Sequence, residues 1–280
     1  MTTGVIDAHA HFWDPGALHY PWLTALPPLD RPFLPHAYAA DAAGIPLAGV
    51  IFVECNCLPE ESDREVALVE LLAETEPRLA GIVAFVDLSD AAARESALAR
   101  LRGVSLVRGV RQNIQGQPTG FALEEELVRG VQRVGDLGLT FDLCATHDQL
   151  GEVAVLAARC PDTRLVLDHC GKPPIRERGW EPWRTSIARI AAHPNVACKL
   201  SGLLTEAAPA CDDEALVPYA AHVLDAFGAE RLMYGSDWPV LTLAGTHQRW
   251  YDFTARFTAA WRPAERRCFY HDTAVRVYGL

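Results

Sequence analysis

Several features that define other classes of protein are missing from this chain of 280 residues. No apolar run reaches the about 18 residues that indicate a membrane-spanning helix, and the N-terminal stretch has neither the basic nor the apolar region of a secretory signal. The 25 basic residues are outnumbered by 36 acidic ones, so the net charge is −11 and no basic stripe is available for nucleic acid. We therefore expect a cytoplasmic protein that binds neither membranes nor nucleic acid.

The cysteines show neither a disulfide framework nor a zinc-binding pattern. None of the eight cysteines belongs to a C-x-x-C pair. Cys55 and Cys57 form a C-x-C, but no further ligands at zinc-site spacing accompany them. Because disulfides are rare in cytosolic chains of this size, we interpret most of these cysteines as small buried apolar residues.

What the chain does contain is a repeated strand–helix pattern. Short apolar runs alternate with segments of helical period, and most runs lack polar alternation, which indicates strands covered on both faces. Eight such units predict a (β/α)8 TIM barrel formed as a single domain over residues 1–280, with an open doubly wound sheet as the alternative. The predicted strands are Val5–Ala8, Gly49–Glu54, Leu79–Val86, Val104–Val110, Leu139–Leu143, Leu165–Leu167, Val196–Leu200 and Leu232–Tyr234.

Two segments depart from a minimal barrel. The segment of residues 13–46 contains seven prolines and is too long for an ordinary loop between a strand and a helix. We therefore expect an irregular insertion that covers the site, with a short helix near His36–Ala43. The tail, Thr246–Leu280, is mostly of helical pattern and is expected to pack on the outside of the barrel.

Ionisable residues recur where the predicted strands end, and barrel active sites lie at that edge. His9 and His11 are two residues apart, so on a strand both imidazoles leave the same face, as metal ligands or as proton donors. Asp237 lies in a tight Gly-Ser-Asp-Trp-Pro turn that would hold a carboxylate in place. The remaining strand ends carry Glu54, Arg111, Asp142, Asp168 and Lys199, with His147 and His169 shortly after; for Asp168 we favour a salt-bridge role.

Three spaced motifs resemble a known family. They are I-D-A-H-A-H-F-W-D at residues 6–14, L-D-H-C-G-K-P at 167–173 and Y-G-S-D-W-P at 234–239. Together with Tyr20–Leu23 (Y-P-W-L), they resemble the amidohydrolase superfamily, and within it the branch of L-fuconolactonases, L-rhamnonolactonases and 2-pyrone-4,6-dicarboxylate lactonases. The resemblance implies a metal-dependent-hydrolase-like barrel and hydrolysis of a small-molecule sugar lactone.

The same resemblance implies a site built from His9, His11, His169 and Asp237. Two-metal members of the superfamily carry a lysine at the end of strand 4 and a histidine at the end of strand 5, whereas this chain has Arg111 and Asp142 there. We therefore expect either one divalent ion, zinc or manganese, bound by His9, His11, Glu54 and Asp237, or a metal-independent enzyme.

In the resulting hypothesis Asp237 is the general base, and His11 and His169 complete the catalytic group by polarising the lactone carbonyl. The substrate-binding residues are expected to be Arg111, Lys199, Trp22, Trp238, Asp142 and His147.

Other functions stay open at this point. A single-metal, non-oxidative decarboxylase of an aromatic acid would use the same residue types, as would another amidohydrolase-type hydrolase of C–O or C–N bonds. A non-enzymatic binding module is the third class. Both a monomer and a homodimer are compatible with the sequence.

Overall fold

The computed structural model describes residues 4–208 and 211–280. Eight parallel strands form one sheet in which each strand pairs with the next along the chain. Every residue of the first and seventh strands is buried, as expected for strands covered on both faces. The predicted TIM barrel is thus confirmed. Its strands are β1 (Val5–Ala10), β2 (Leu47–Val53), β3 (Leu79–Phe85), β4 (Val107–Arg111), β5 (Thr140–Leu143), β6 (Arg164–Leu167), β7 (Val196–Leu200) and β8 (Leu232–Tyr234).

The barrel closes between β1 and the segment that follows β8. The amide of Asp237 donates to the carbonyl of His9 at 2.8 Å, and the amide of His11 donates to the carbonyl of Trp238 at 2.7 Å. The buried carboxylate of Asp7 strengthens this seam, because it accepts hydrogen bonds from the Ser236 amide at 2.8 Å and from a tyrosine of the insertion. The closure therefore places His9 of β1, and His11 just after this strand, directly beside the aspartate that follows β8.

Helices surround the sheet. None of those described is both long and apolar enough to cross a bilayer. They are α1 (Pro35–Asp41), α2 (Ser62–Ala73), α3 (Ala91–Leu101), α4 (Glu125–Asp136), α5 (Leu150–Arg159), α6 (Trp183–Ala191), α7 (Leu203–Glu206), α8 (Val217–Phe227), α9 (His247–Phe257), α10 (Pro263–Arg267) and α11 (Thr273–Tyr278).

The Pro-rich insertion folds over the barrel edge without long elements. It contains two short 3-10 turns, Pro21–Ala25 and Pro27–Leu29, followed by α1, which confirms the predicted helix. Trp13 anchors the segment, because its ring is fully buried and its indole N–H donates to the carbonyls of Leu29 and Arg31.

The tail departs from the expectation that it packs outside the barrel. Its last helix, α11, packs with the side chains that fill the barrel interior, among them Ile6 and Met233. Thr273 and Arg276 donate to the carbonyl of Glu230, which precedes β8, so α11 lies at the N-terminal ends of the strands. The expectation was wrong for α11 because its apolar residues fill the open end of the barrel.

Candidate active site

His9 and His11 form a close pair at the end of β1. Their Nε2 atoms lie 3.1 Å apart, and both side chains are nearly inaccessible to solvent. The Nδ1 atom of His11 lies 2.8 Å from the carbonyl oxygen of Val53. A carbonyl only accepts hydrogen bonds, so the neutral His11 ring carries its proton on Nδ1 and turns the lone pair of Nε2 toward His9.

Asp237 and His169 complete a convergent group with this pair. The Oδ1 atom of Asp237 lies 3.5 Å from Nε2 of His11, 3.8 Å from Nε2 of His9 and 3.9 Å from Nε2 of His169. On its other side the His169 ring contacts the Ser201 hydroxyl, with 2.9 Å between Nδ1 and Oγ. The structure thus brings together the four residues that the resemblance implied.

The environment sets the charge of this group. Burial alone would raise the pKa of the Asp237 carboxyl, but the surrounding imidazoles outweigh it and hold that pKa below its usual value. Burial lowers the pKa of His169 to about 4, and burial together with the charge of Lys199 lowers the pKa of His9. At neutral pH, Asp237 is therefore ionised and these two imidazoles are neutral.

The backbone at the site is strained. Asp237 has a φ of 63°, His169 of 52°, Lys172 of 49° and Asn56 of 52°, all in the left-handed region that non-glycine residues rarely adopt. Gly202 shows how tightly this region packs, because a Cβ there would lie 2.7 Å from the Cβ of His169. Strain of this kind is retained where it aims side chains, which supports a functional role for these turns.

Behind the histidines lies a sealed ionic network. Lys199 is inaccessible to solvent, and its Nζ lies 2.5 Å from Oδ2 of Asp142, 2.9 Å from Oδ1 of Asp168 and 3.1 Å from Nδ1 of His9. Lys199 and Asp142 do not line the cavity. Their predicted substrate contacts are corrected accordingly, because both side chains point into the barrel interior and bind each other. The salt-bridge interpretation of Asp168 agrees with this geometry.

Arg111 and Glu54 bind each other, although Arg111 was expected to bind substrate and Glu54 to bind a metal ion. The Nε atom of Arg111 donates to Oε1 of Glu54 at 2.6 Å, and the other Glu54 oxygen accepts from the amide of Asn56 at 2.7 Å. Glu54 lies outside both groups of residues that could hold a metal ion among those described. Arg111 still lines the cavity, but its charge is already compensated by Glu54 and Asp168.

The cavity above Asp237 has a volume of about 510 Å³. His11, His169 and Asp237 line its floor, and Trp22 from the insertion lines a wall. The indole N–H of Trp22 donates to the carbonyl of Cys55 at 2.7 Å, which fixes the ring. The other polar walls are formed by Asn56, Asn113, Gln115, Gln117 and Lys172.

Two further predicted residues lie away from this cavity. Trp238 is completely buried, its indole N–H donates to Asp41 at 2.8 Å, and its ring packs against Phe33 and Tyr38. Stacking of Trp238 on a sugar is therefore corrected to a core role. His147 is partly buried and does not line the cavity.

The convergent group fits a divalent cation. The lone pair of His11 Nε2 lies close to both Nε2 of His9, at 3.1 Å, and the Asp237 carboxylate, at 3.5 Å, an arrangement that is repulsive unless a proton or a cation lies between these atoms. Two overlapping sets could hold an ion: His9, His11 and Asp237, or His9, Asp168 and His169. Imidazole and carboxylate ligands suit zinc.

Sequence reasoning did not assign several residues that the structure places here. Lys172 was visible only as a letter of the L-D-H-C-G-K-P motif, and Ser201 only as the residue after β7. Asn113 and Gln115 carry no signal, because amides in a loop after a strand are common in proteins of every function. Only the folded loops bring these residues to one cavity.

With this geometry defined, comparison with known proteins identifies the class. The amidohydrolase family model matches residues 6–280, and the chain belongs to that family. The chain is 35% identical to an L-fucono-1,5-lactonase of Burkholderia multivorans, over 98% of this chain and 96% of that protein. It is 36% identical to an L-fucono-1,5-lactonase of Burkholderia ambifaria, over 86% and 82% of the two chains. A crystal structure of an amidohydrolase from Burkholderia multivorans with bound zinc superposes with a TM-score of 0.89 at 32% identity, covering 99% of this chain and 100% of that one. The resemblance noted in the sequence is confirmed.

Proposed function

We propose that this chain hydrolyses the cyclic ester of a sugar lactone and opens the ring to a hydroxy acid. The observation that carries the proposal is the ionised Asp237 held among three imidazoles on the floor of a cavity with amide-bearing walls. Both cited curated relatives are named L-fucono-1,5-lactonase, which supports a lactone as the substrate class. They favour this reaction over decarboxylation of an aromatic acid.

Asp237 takes the proton of the attacking water in this mechanism. The water oxygen bonds to the lactone carbonyl carbon, and collapse of the tetrahedral adduct breaks the bond to the ring oxygen. The protonated carboxyl of Asp237 then returns the proton to the departing ring oxygen. Because its low pKa makes Asp237 a weak base, neighbouring groups must polarise the carbonyl or acidify the water.

Lys172 is the group we assign to the charge that develops on the substrate. Its Nζ donates to Oε1 of Gln115. No carboxylate lies within ion-pair distance of Lys172 in residues 4–208 and 211–280. This sets it apart from Arg111 and Lys199, whose charges are compensated inside the protein. We propose that Lys172 binds the carbonyl oxygen of the lactone and then the carboxylate of the product.

The amide walls suit hydroxyl groups. The Nδ2 atom of Asn113 donates to Oδ1 of Asn56 at 2.6 Å, while the buried Oδ1 of Asn113 has no hydrogen-bond partner within the described residues. A buried acceptor left unpaired is unfavourable, so a substrate hydroxyl is a suitable donor for it. Trp22 offers a ring face to the apolar side of a sugar.

A single zinc ion is the metal we propose for the site, held by His9, His11 and Asp237. A bound divalent ion would lower the pKa of water and polarise a carbonyl. The contact of His11 Nδ1 with Val53 supports this assignment, because it leaves Nε2 free as a ligand.

The experiment that tests the proposal measures acid release from a panel of aldonolactones with a pH indicator. Chelator-treated protein is assayed alone, with zinc and with manganese. Acid release only with added metal supports a metal-dependent lactonase, and equal release without metal supports catalysis by Asp237 and the imidazoles alone. No release from any lactone under all three conditions would contradict the proposal, and carbon dioxide release from aromatic acids would then favour the decarboxylase.

The cellular setting is part of the proposal. We infer a cytoplasmic enzyme of carbohydrate metabolism, and the eight free cysteines fit a reducing compartment. We also propose a homodimer, which light scattering coupled to size-exclusion chromatography distinguishes from a monomer.

A further inference from the structure

The C-terminal helix reaches the ionic network behind His9 from beneath. Tyr278, the last residue of α11, is buried inside the barrel, and its hydroxyl donates to Oδ2 of Asp142 at 2.8 Å. The same oxygen accepts from Nζ of Lys199 at 2.5 Å. The ammonium also lies 5.7 Å from the centre of the Tyr278 ring, within the range of a cation–π contact. Tyr278 therefore holds the Asp142–Lys199 pair from the side opposite the cavity.

Lys199 in turn competes with Asp168 for one nitrogen of His9. Nδ1 of His9 lies 3.1 Å from the Lys199 ammonium, which can only donate, and 3.2 Å from Oδ1 of Asp168, which can only accept when ionised. No aligned hydrogen bond reaches that Asp168 oxygen from the described part of the chain. In this structure the Lys199 contact therefore has the better geometry.

The competition determines which ring nitrogen of His9 carries the proton. When Lys199 donates to Nδ1, the neutral ring carries its proton on Nε2, toward His11. When Nδ1–H donates to Asp168, the lone pair of Nε2 faces His11 and Asp237 and can bind a cation or accept a proton. A small movement of the Lys199 ammonium thus changes the chemistry of His9.

We propose that Tyr278 is a positioning residue that sets the tautomer of His9 through Asp142 and Lys199. The inference rests on the proposed function only for its effect on turnover, because the tautomer is a property of the protein itself. Loss of the Tyr278 hydroxyl leaves Oδ2 of Asp142 to Lys199 alone. The ammonium is then drawn toward Asp142, and His9 shifts toward the form with its proton on Nδ1.

Tyr278→Phe tests this, and Tyr270→Phe is the matched control. Tyr270 lies in the same tail, is buried, and donates its hydroxyl to Thr254 at 3.1 Å, so both variants lose one buried hydrogen bond. Nitrogen-15 NMR of chelator-treated protein reports the tautomer, with the His9 signals assigned by their loss in His9→Gln. Asp142→Asn is measured in the same way as a second variant.

We expect Tyr278→Phe and Asp142→Asn to move the His9 ring signals and Tyr270→Phe to leave them in place. In the lactone assay, Tyr278→Phe should reach half-maximal activity at about tenfold less zinc than the wild-type protein while KM changes less than about twofold, because the form of His9 with its proton on Nδ1 offers the lone pair of Nε2 to a cation. Unchanged His9 signals in Tyr278→Phe, or equal shifts in the tyrosine control, would overturn the inference. If the wild-type protein opens no lactone, the proposed function fails, and the NMR comparison still decides the role of Tyr278.

Discussion

Two sets of charged residues lie within a few ångströms of each other in this barrel, and they differ in what surrounds them. The buried set consists of Glu54, Arg111, Asp168, Lys199 and Asp142, and its members pair along the inside of the barrel at 2.5–3.3 Å. The cavity set consists of Asp237 and Lys172, which have no ion-pair partner other than imidazoles in the described residues.

This difference separates the residues that orient the catalytic group from those that can bind a substrate or react with it. A buried pair whose charges are mutually satisfied has little to offer a substrate, whereas a charge that faces a cavity without a compensating partner can bind or react. Residue type and position at a strand end do not distinguish these two cases. The two cases are distinguished by the group that each charged side chain contacts in the folded protein.

The largest effect on stability is expected from breaking the buried set. Lys199→Met leaves Asp142 and Asp168 without their shared cation, and removal of one partner from a buried pair costs about 3–5 kcal/mol. Urea unfolding of wild-type and variant protein at pH 7 measures the difference. The comparison would be wrong if Lys199→Met lost no more stability than Lys172→Met.

Glu65 sharpens the comparison, because it is a buried acid with no lysine or arginine within ion-pair distance in the described part of the chain. Burial and the nearby Glu54 raise the pKa of Glu65 from 4.5 to about 8. Between these two pH values the folded state holds a proton that the unfolded state has released, so the free energy of unfolding falls as pH rises. Relative to Glu65→Gln, the wild-type protein should lose a few kcal/mol across this window in urea titrations. Parallel pH profiles of the two proteins would show that Glu65 is not protonated in the folded state.

The smallest effect on stability is expected in the cavity set. Lys172→Met should change the free energy of unfolding by less than about 0.5 kcal/mol, as is usual away from buried networks. It should lower kcat/KM for the lactone about tenfold, because a charged hydrogen bond to the oxygen that gains negative charge is lost. Steady-state kinetics on the best lactone of the panel provide the measurement. An unchanged kcat/KM together with a large loss of stability would place Lys172 in the buried set.

Much of the fold was predictable from the sequence. All eight apolar runs correspond to strands, because a parallel sheet buried on both faces leaves a continuous apolar signal. The fourth strand begins at Val107 and not at Val104, since the amide of Val107 donates to the carbonyl of Val104 and closes a turn there. The position of α11 was not predictable, because an apolar helix face looks the same whether it covers a barrel or closes its end.

The residues on the floor of the candidate site were predictable from the sequence. The motifs identified His9, His11, His169 and Asp237, which the structure brings together. The roles of the charged residues around these four could not be predicted, because ion pairing between strands that are distant in sequence leaves no local pattern. Lys199 and Asp142, for example, are 57 residues apart.

The central claim is that Asp237 performs the proton transfer of lactone hydrolysis. Asp237→Asn keeps the shape of the side chain and removes its basicity, so kcat for acid release should fall about a thousandfold, within the usual range for loss of a general base. Circular dichroism of the same sample should match the wild-type protein, and its thermal unfolding should remain cooperative. Near-normal acid release by folded Asp237→Asn would contradict the account.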